Sequence, residues 1–115
     1  MTCLLAAASP VLVVPAEAAS ATVAMVAIEF RPREIKVAVG DTVTWHHKDG
    51  EPHTVTADDA TYDSSPVCEP VAGTGCMDTG DTWSHTYGAA GRYPYFCKVH
   101  GKPGGEGMAG AVIVE

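Results

Sequence analysis

The sequence predicts an all-β sandwich. Turn signals recur at short intervals along the 115 residues, apolar and polar positions alternate with a period of two, and no stretch sustains a helical period. A chain of this length forms one domain, with material for a single core between two packed sheets.

Residues 22–30 read as the first strand, ending at Arg31-Pro32, and residues 34–39 as the second, ending at the Gly40-Asp41 turn. Residues 42–47 alternate again, with Val43 and Trp45 on one face, as a half-buried strand requires. His46, His47 and His85 are read as solvent-facing, and Trp45 and Trp83 as core or sheet-surface aromatics. Lys48-Asp49-Gly50-Glu51-Pro52 breaks the chain, and residues 53–57 resume an extended course. Residues 58–81 form an irregular stretch longer than loops usually are, with room for one short strand or helical turn. Its acidic residues, Asp58, Asp59 and Asp63, read as a solvated loop, with a docking patch for a basic partner as the sharper alternative.

Strands follow at residues 82–87, 92–97 and 109–115. On the second of these, Tyr93, Tyr95 and Cys97 share one face, and Pro94, Phe96 and Lys98 the other. If Cys97 points inward, both tyrosines belong to the core and Phe96 faces out. Pro94 lacks an N–H, which requires an edge or a bulge at that position.

Net charge is −7, with the seven Lys and Arg scattered, so the chain lacks the clustered basic face of a nucleic-acid binder. The first fifteen residues are apolar and uncharged, and Ala16-Glu17-Ala18 offers a small-x-small cleavage site. Residues 1–18 are therefore expected to be a signal-peptide remnant without its basic n-region, and residues 19–115 the working domain. An extra strand or tail, or a lipid anchor on Cys3, are the alternatives. As a membrane span the stretch is too short, and it carries two prolines. Removing it deletes only Glu17 among the charges, so −7 + 1 leaves −6.

Two of the four cysteines, Cys68 and Cys76, lie eight positions apart in the irregular stretch. An oxidising compartment would bridge them, with about 2–3 kcal/mol from so short a ring. Two free thiols, or one pairing with Cys97, are the alternatives.

The chemistry concentrates in Tyr93-Pro94-Tyr95-Phe96-Cys97-Lys98-Val99-His100, followed by a glycine-rich loop closing on Met108. A thiolate, an imidazole and a thioether are soft donors that suit copper, and two His with one Cys and a distant Met make a blue-copper site. The second histidine is His53, in Glu51-Pro52-His53-Thr54-Val55. Cys-x-x-His alone would equally be half a zinc site, but Cys68 and Cys76 have the wrong spacing to complete one. An iron–sulfur cluster needs more cysteines than remain.

On Pro52-His53-Thr54-Val55, on Trp83-Ser84-His85-Thr86-Tyr87 and on Cys97-x-x-His100…Met108, the chain resembles the cupredoxins, notably the plastocyanin, amicyanin and halocyanin-like proteins. The likeness runs from about residue 22 to 115. It implies a Greek-key β-sandwich of about eight strands with one copper ion, Cu(I)/Cu(II), held by His53, Cys97, His100 and Met108. Thr54 matches the position that ties the two ligand loops together. One departure is the seven residues between His100 and Met108, a longer loop than in the best-known members, with Met77 as the rival thioether.

The resemblance further implies a non-enzymatic, monomeric electron shuttle, which the expected leader and the Cys68/Cys76 pair place outside the cytoplasm, in the periplasm or secreted. Redox proteins would dock transiently at the exposed edge of His100, and Phe96 would mark a second exit. A copper carrier or store delivering metal to an oxidase is the alternative. A multicopper oxidase or nitrite reductase domain would need His-Cys-His, and here Phe96 and Lys98 flank Cys97.

Overall fold

The computed structural model describes residues 19–115, and the expected leader at residues 1–18 lies outside the described residues. Eight strands occupy the described residues: β1 (Ser20–Val26), β2 (Glu29–Arg31), β3 (Glu34–Val37), β4 (Thr42–His47), β5 (Thr56–Ala57), β6 (Thr82–Thr86), β7 (Gly91–Lys102) and β8 (Glu106–Val114). They make two four-stranded sheets, ordered β2-β1-β4-β6 and β3-β8-β7-β5. β1 runs parallel to β4 and β3 parallel to β8, while the remaining pairs are antiparallel.

The inner faces meet where the alternation places them. Val23, Met25, Val43, Trp45, Tyr95, Cys97 and Val112 are all at most 1% exposed. Tyr95 is edge-on to Phe30 at 4.6 Å and to Trp45 at 5.3 Å between ring centroids, which joins the two sheets at their centre. Each such aromatic contributes roughly 4–6 kcal/mol of gross burial before ordering costs.

Three elements depart from the sequence reading. The expected single strand at residues 22–30 is a hairpin, β1–β2, turning at Ala27 and Ile28, both with positive φ. A type I′ turn ordinarily uses Asn-Gly or Asp-Gly, so neither residue signals it. Its Ile28 N–H is instead held by the Asp49 carboxylate at 3.1 Å. Next, His47 is buried, at 2% exposure, because it shares the inward face of β4 with Val43 and Trp45. His85 also lies inward, paired across from Val43, and stacks on Tyr62 at 4.3 Å. Only His46 keeps to the outer face.

Pro94 falls where its chemistry demands. Its carbonyl accepts from Asp58 N–H on the β5 side, just past the two residues at which β5 pairs with β7. The missing N–H therefore faces the end of an edge strand. Tyr93 is half-buried against the core, and Phe96 is half-buried on the opposite face of β7.

Cys68 and Cys76 are bridged, while Cys97 is a free, buried thiol. Between residues 58 and 81 the chain forms only isolated bridges, His53↔Met77 and Thr56↔Asp63. The acidic run is not simply solvated. Asp63 binds Lys98 Nζ at 2.7 Å, and Asp58 accepts Gly104 N–H at 3.0 Å.

Candidate metal centre

β7 and β8 pair regularly from Gly91↔Val114 to Phe96↔Ala109. They then lose register and pair again at Gly101↔Gly107 and Lys102↔Glu106. Four residues of β7, numbers 97–100, thus bulge opposite the single residue Met108 of β8. The bulge is the Cys-x-x-His motif. The unusual loop length is absorbed by the two extra pairs at the hairpin tip, so Met108 still lies across the ladder from Cys97 and His100.

The bulge is closed by glycine. A Cβ on Gly101 would lie 2.4 Å from the Met108 carbonyl oxygen, and one on Gly107 the same distance from the His100 carbonyl oxygen. Only backbone fits at that crossing.

His53, Cys97 and His100 come together, with one donor atom from each within 4.8 Å of the others. The free Sγ of Cys97 is 3.7 Å from His53 Nδ1 and 3.8 Å from His100 Nδ1. A metal bonded at about 2.0–2.3 Å to nitrogen and sulfur holds them roughly 3.6–3.8 Å apart, across tetrahedral to trigonal angles. The donor set is soft, and its spacing fits one copper ion. Met108 is 3% exposed, and so is well buried. Met77 is 6% exposed and pairs with the backbone of His53, so both thioethers belong to this end of the core.

Each donor is oriented by a second group. His53, fully buried, donates Nε2–H to the Asp49 carboxylate at 2.8 Å, which leaves Nδ1 as the bare lone pair facing the thiol. Burial raises Asp49, but N–H donation from Glu51, His53 and Ile28 outweighs it and holds the carboxyl down at about 2. Burial lowers His53 below its ordinary value, which favours the neutral imidazole a metal needs, although Asp49 opposes the shift. The His47 ring lies tilted against that of His53, 4.6 Å between centroids, and donates through Nε2 to the Glu51 carbonyl. Cys97 accepts the Thr54 N–H at 3.4 Å, and Thr54 Oγ1 accepts Lys98 N–H at 2.9 Å. Thr54 therefore joins the two loops, as the resemblance implied. His100 is 19% exposed, with Nε2 3.7 Å from a Glu51 carboxylate oxygen. It opens onto a surface groove of about 390 Å³ that Lys98, Lys102 and Glu106 also line.

Comparison with known proteins agrees with this geometry. The family described as copper binding proteins, plastocyanin/azurin family, matches residues 17–115. The chain belongs to this family. A plastocyanin of Scenedesmus fuscus is 31% identical over 90 residues, covering 77% of this chain and 89% of that protein. The amicyanin of Paracoccus denitrificans is 31% identical over 88 residues, or 76% of this chain and 60% of that one. A solved amicyanin variant in its Cu(I) form superposes with a TM-score of 0.66 at 28% identity, covering 84% of this chain and 82% of that chain.

Asp49, Glu51 and His47 were not anticipated as parts of the site. His47 had a usable signal, since it continues the Val43-Trp45 face. Asp49 stands four residues before His53, but no local pattern tells a turn carboxylate from one that orients a ligand.

Proposed function

We propose that this chain is a small blue copper protein that shuttles single electrons between larger redox proteins, and that it is not an enzyme. His53 Nδ1, Cys97 Sγ and His100 Nδ1 would hold the copper, with the buried Met108 thioether as a fourth donor. The observation that carries this reading is the convergence of two imidazole nitrogens on one buried free thiol. Copper bound by such donors supplies a one-electron Cu(I)/Cu(II) couple.

The chain's own residues do the rest. Asp49 fixes the His53 tautomer, Thr54 locks the two ligand segments together, and the burial of His53, Cys97 and Met108 would shield a bound copper from water and substrate on those sides. Only the His100 edge reaches the surface, and it is the port where partners dock transiently over a small interface. Phe96 is a second exit. A carrier that hands copper over whole would need ligands that open easily. Here His53 and Cys97 are at 0% exposure and Met108 at 3%, which disfavours it.

The domain works outside the cytoplasm as a monomer, with residues 1–18 as its leader and 19–115 as the mature copper domain. The apolar uncharged start and the Cys68–Cys76 bridge support export. Among the described residues, no helix is long and apolar enough to cross a membrane.

The test is visible absorption and EPR after one equivalent of Cu(II). An intense thiolate-to-copper band with narrow hyperfine splitting, abolished by Cys97→Ser, is the expected result. Met108→Leu should shift that spectrum and Met77→Leu should not. A colourless protein, or ordinary tetragonal copper indifferent to Cys97→Ser, overturns the reading.

A further inference from the structure

The disulfide ends one residue before a segment that grips the candidate ligand His53 and its partners. Met77 and His53 exchange both backbone hydrogen bonds, at 2.9 and 3.1 Å. Thr79 Oγ1 donates to the Asp49 carbonyl, the backbone of the residue that orients His53. Gly80 N–H donates to the His47 carbonyl and His47 N–H to the Asp81 carbonyl, both at 2.9 Å. Residues 77–81 thus hold His53, Asp49 and His47 together. Inside the ring, a Cβ on Gly73 would lie 3.2 Å from Pro52 Cγ, so the stapled loop packs directly on the residue preceding His53.

We infer that the Cys68–Cys76 bridge is a positioning brace for the copper site, coupling retention of the metal to the thiol–disulfide state of the surroundings. The inference rests on the ligand assignment above. Apart from the Gly73–Pro52 contact and the Cys68 N–H bond to the Ser65 carbonyl, little besides the bridge ties residues 66–76 to the rest of the domain. Val67 and Val71 are 78% and 102% exposed, and the loop's internal backbone bonds join Glu69 only to Gly73 and Thr74. Opening the ring releases the chain just ahead of Met77, and with it the ladder pair that fixes the His53 backbone. Cys97 lies on β7, outside this segment, so thiolate ligation survives while His53 loosens.

The test uses the full chain, comparing wild type with the Cys68→Ser/Cys76→Ser double variant and with Val23→Ala, a core truncation on β1. In the copper-free proteins, amide hydrogen exchange is read at His53, Met77 and Gly80 against the amides of β8. In the loaded proteins, loss of the thiolate-to-copper band to excess EDTA is timed. The expected result is at least tenfold faster exchange at those three amides relative to β8, with copper loss about 10–100-fold faster, the range for removing a group that orients a ligand. Val23→Ala should show neither selective effect. Equal relative exchange in the double variant, or unchanged copper loss, overturns the inference. If the double variant does not fold, reduction of the wild-type disulfide by a phosphine poses the same exchange test without a substitution. Failure of the wild type to give the thiolate band would overturn the ligand assignment instead, and the copper-free exchange data would still decide the brace.

Discussion

Gly101→Ala should damage both the fold and the metal centre, because it adds one methyl where the β7–β8 hairpin closes between His100 and Met108. The new Cβ would stand 2.4 Å from the Met108 carbonyl oxygen, 2.8 Å from that of Glu106 and 2.9 Å from Met108 N. All three are backbone atoms that cannot rotate aside. Real Cβ atoms essentially never approach within 3.0 Å, so the strands must part by at least about 0.6 Å. Overpacking of this kind costs about 1–3 kcal/mol. With a urea dependence of roughly 1–2 kcal/mol per molar, the midpoint should fall by about 1 M in the copper-free protein. Gly88→Ala is the control, since its Cβ would meet nothing within 4 Å. That change should stay within about 0.5 kcal/mol of wild type. Parting the strands also moves His100 relative to Met108, so the loaded Gly101→Ala protein should show a displaced thiolate-to-copper band. Equal urea midpoints for the two variants would refute the argument that the bulge is sterically closed.

Thr54→Val should cost about 1–3 kcal/mol in urea unfolding, because it strands the Lys98 N–H that Thr54 Oγ1 accepts in a part-buried setting. Asp49→Ala should raise the rate of copper loss to EDTA about 10–100-fold, by freeing the ring that the carboxylate orients. In alkali the relevant pair is Tyr62 and Tyr87, whose hydroxyls lie 2.7 Å apart. Burial pushes Tyr62 up to about 12 and raises Tyr87 as well. The folded state thus holds these protons more tightly than the unfolded chain does. Tyr62's contribution is fully present below pH 10 and is lost as pH rises towards 12, while Tyr87's continues to fall beyond that window. Tyr62→Phe should partly flatten the fall in thermal midpoint over that window, and an unchanged slope would remove Tyr62 as a source of it.

What the sequence revealed, and what it hid, divides by the range of the interaction responsible. The strand carrying Cys97 was legible because alternation is local: Tyr95 and Cys97 are buried as their spacing requires, and Phe96 lies on the other face. The His53-Cys97-His100 convergence was legible because few residue types can supply such donors. The turn at Ala27 and Ile28 was not, because its support comes from Asp49, 21 residues away. His47 was misread through its polarity, although its place in the alternation was the better guide. A buried imidazole is accommodated there because the Glu51 carbonyl accepts from its Nε2 and the His53 ring packs against it at a tilt, although its Nδ1 has no partner.

The same distinction explains why the long ligand loop stands out in the sequence as a departure, with Met77 as a rival thioether, while the short motif does not. Seven residues between His100 and Met108 look like slack when counted along the chain. Across the ladder, Gly101↔Gly107 and Lys102↔Glu106 use four of them as paired strand. Residues 103–105 make the turn, and its Gly104 N–H and Gly105 carbonyl are bound by Asp58 and Arg33. The added length therefore grows outward from the bulge as a tethered hairpin. Met108 keeps its place opposite Cys97 and His100 because the register on either side of it, not the number of residues in the loop, determines where it stands.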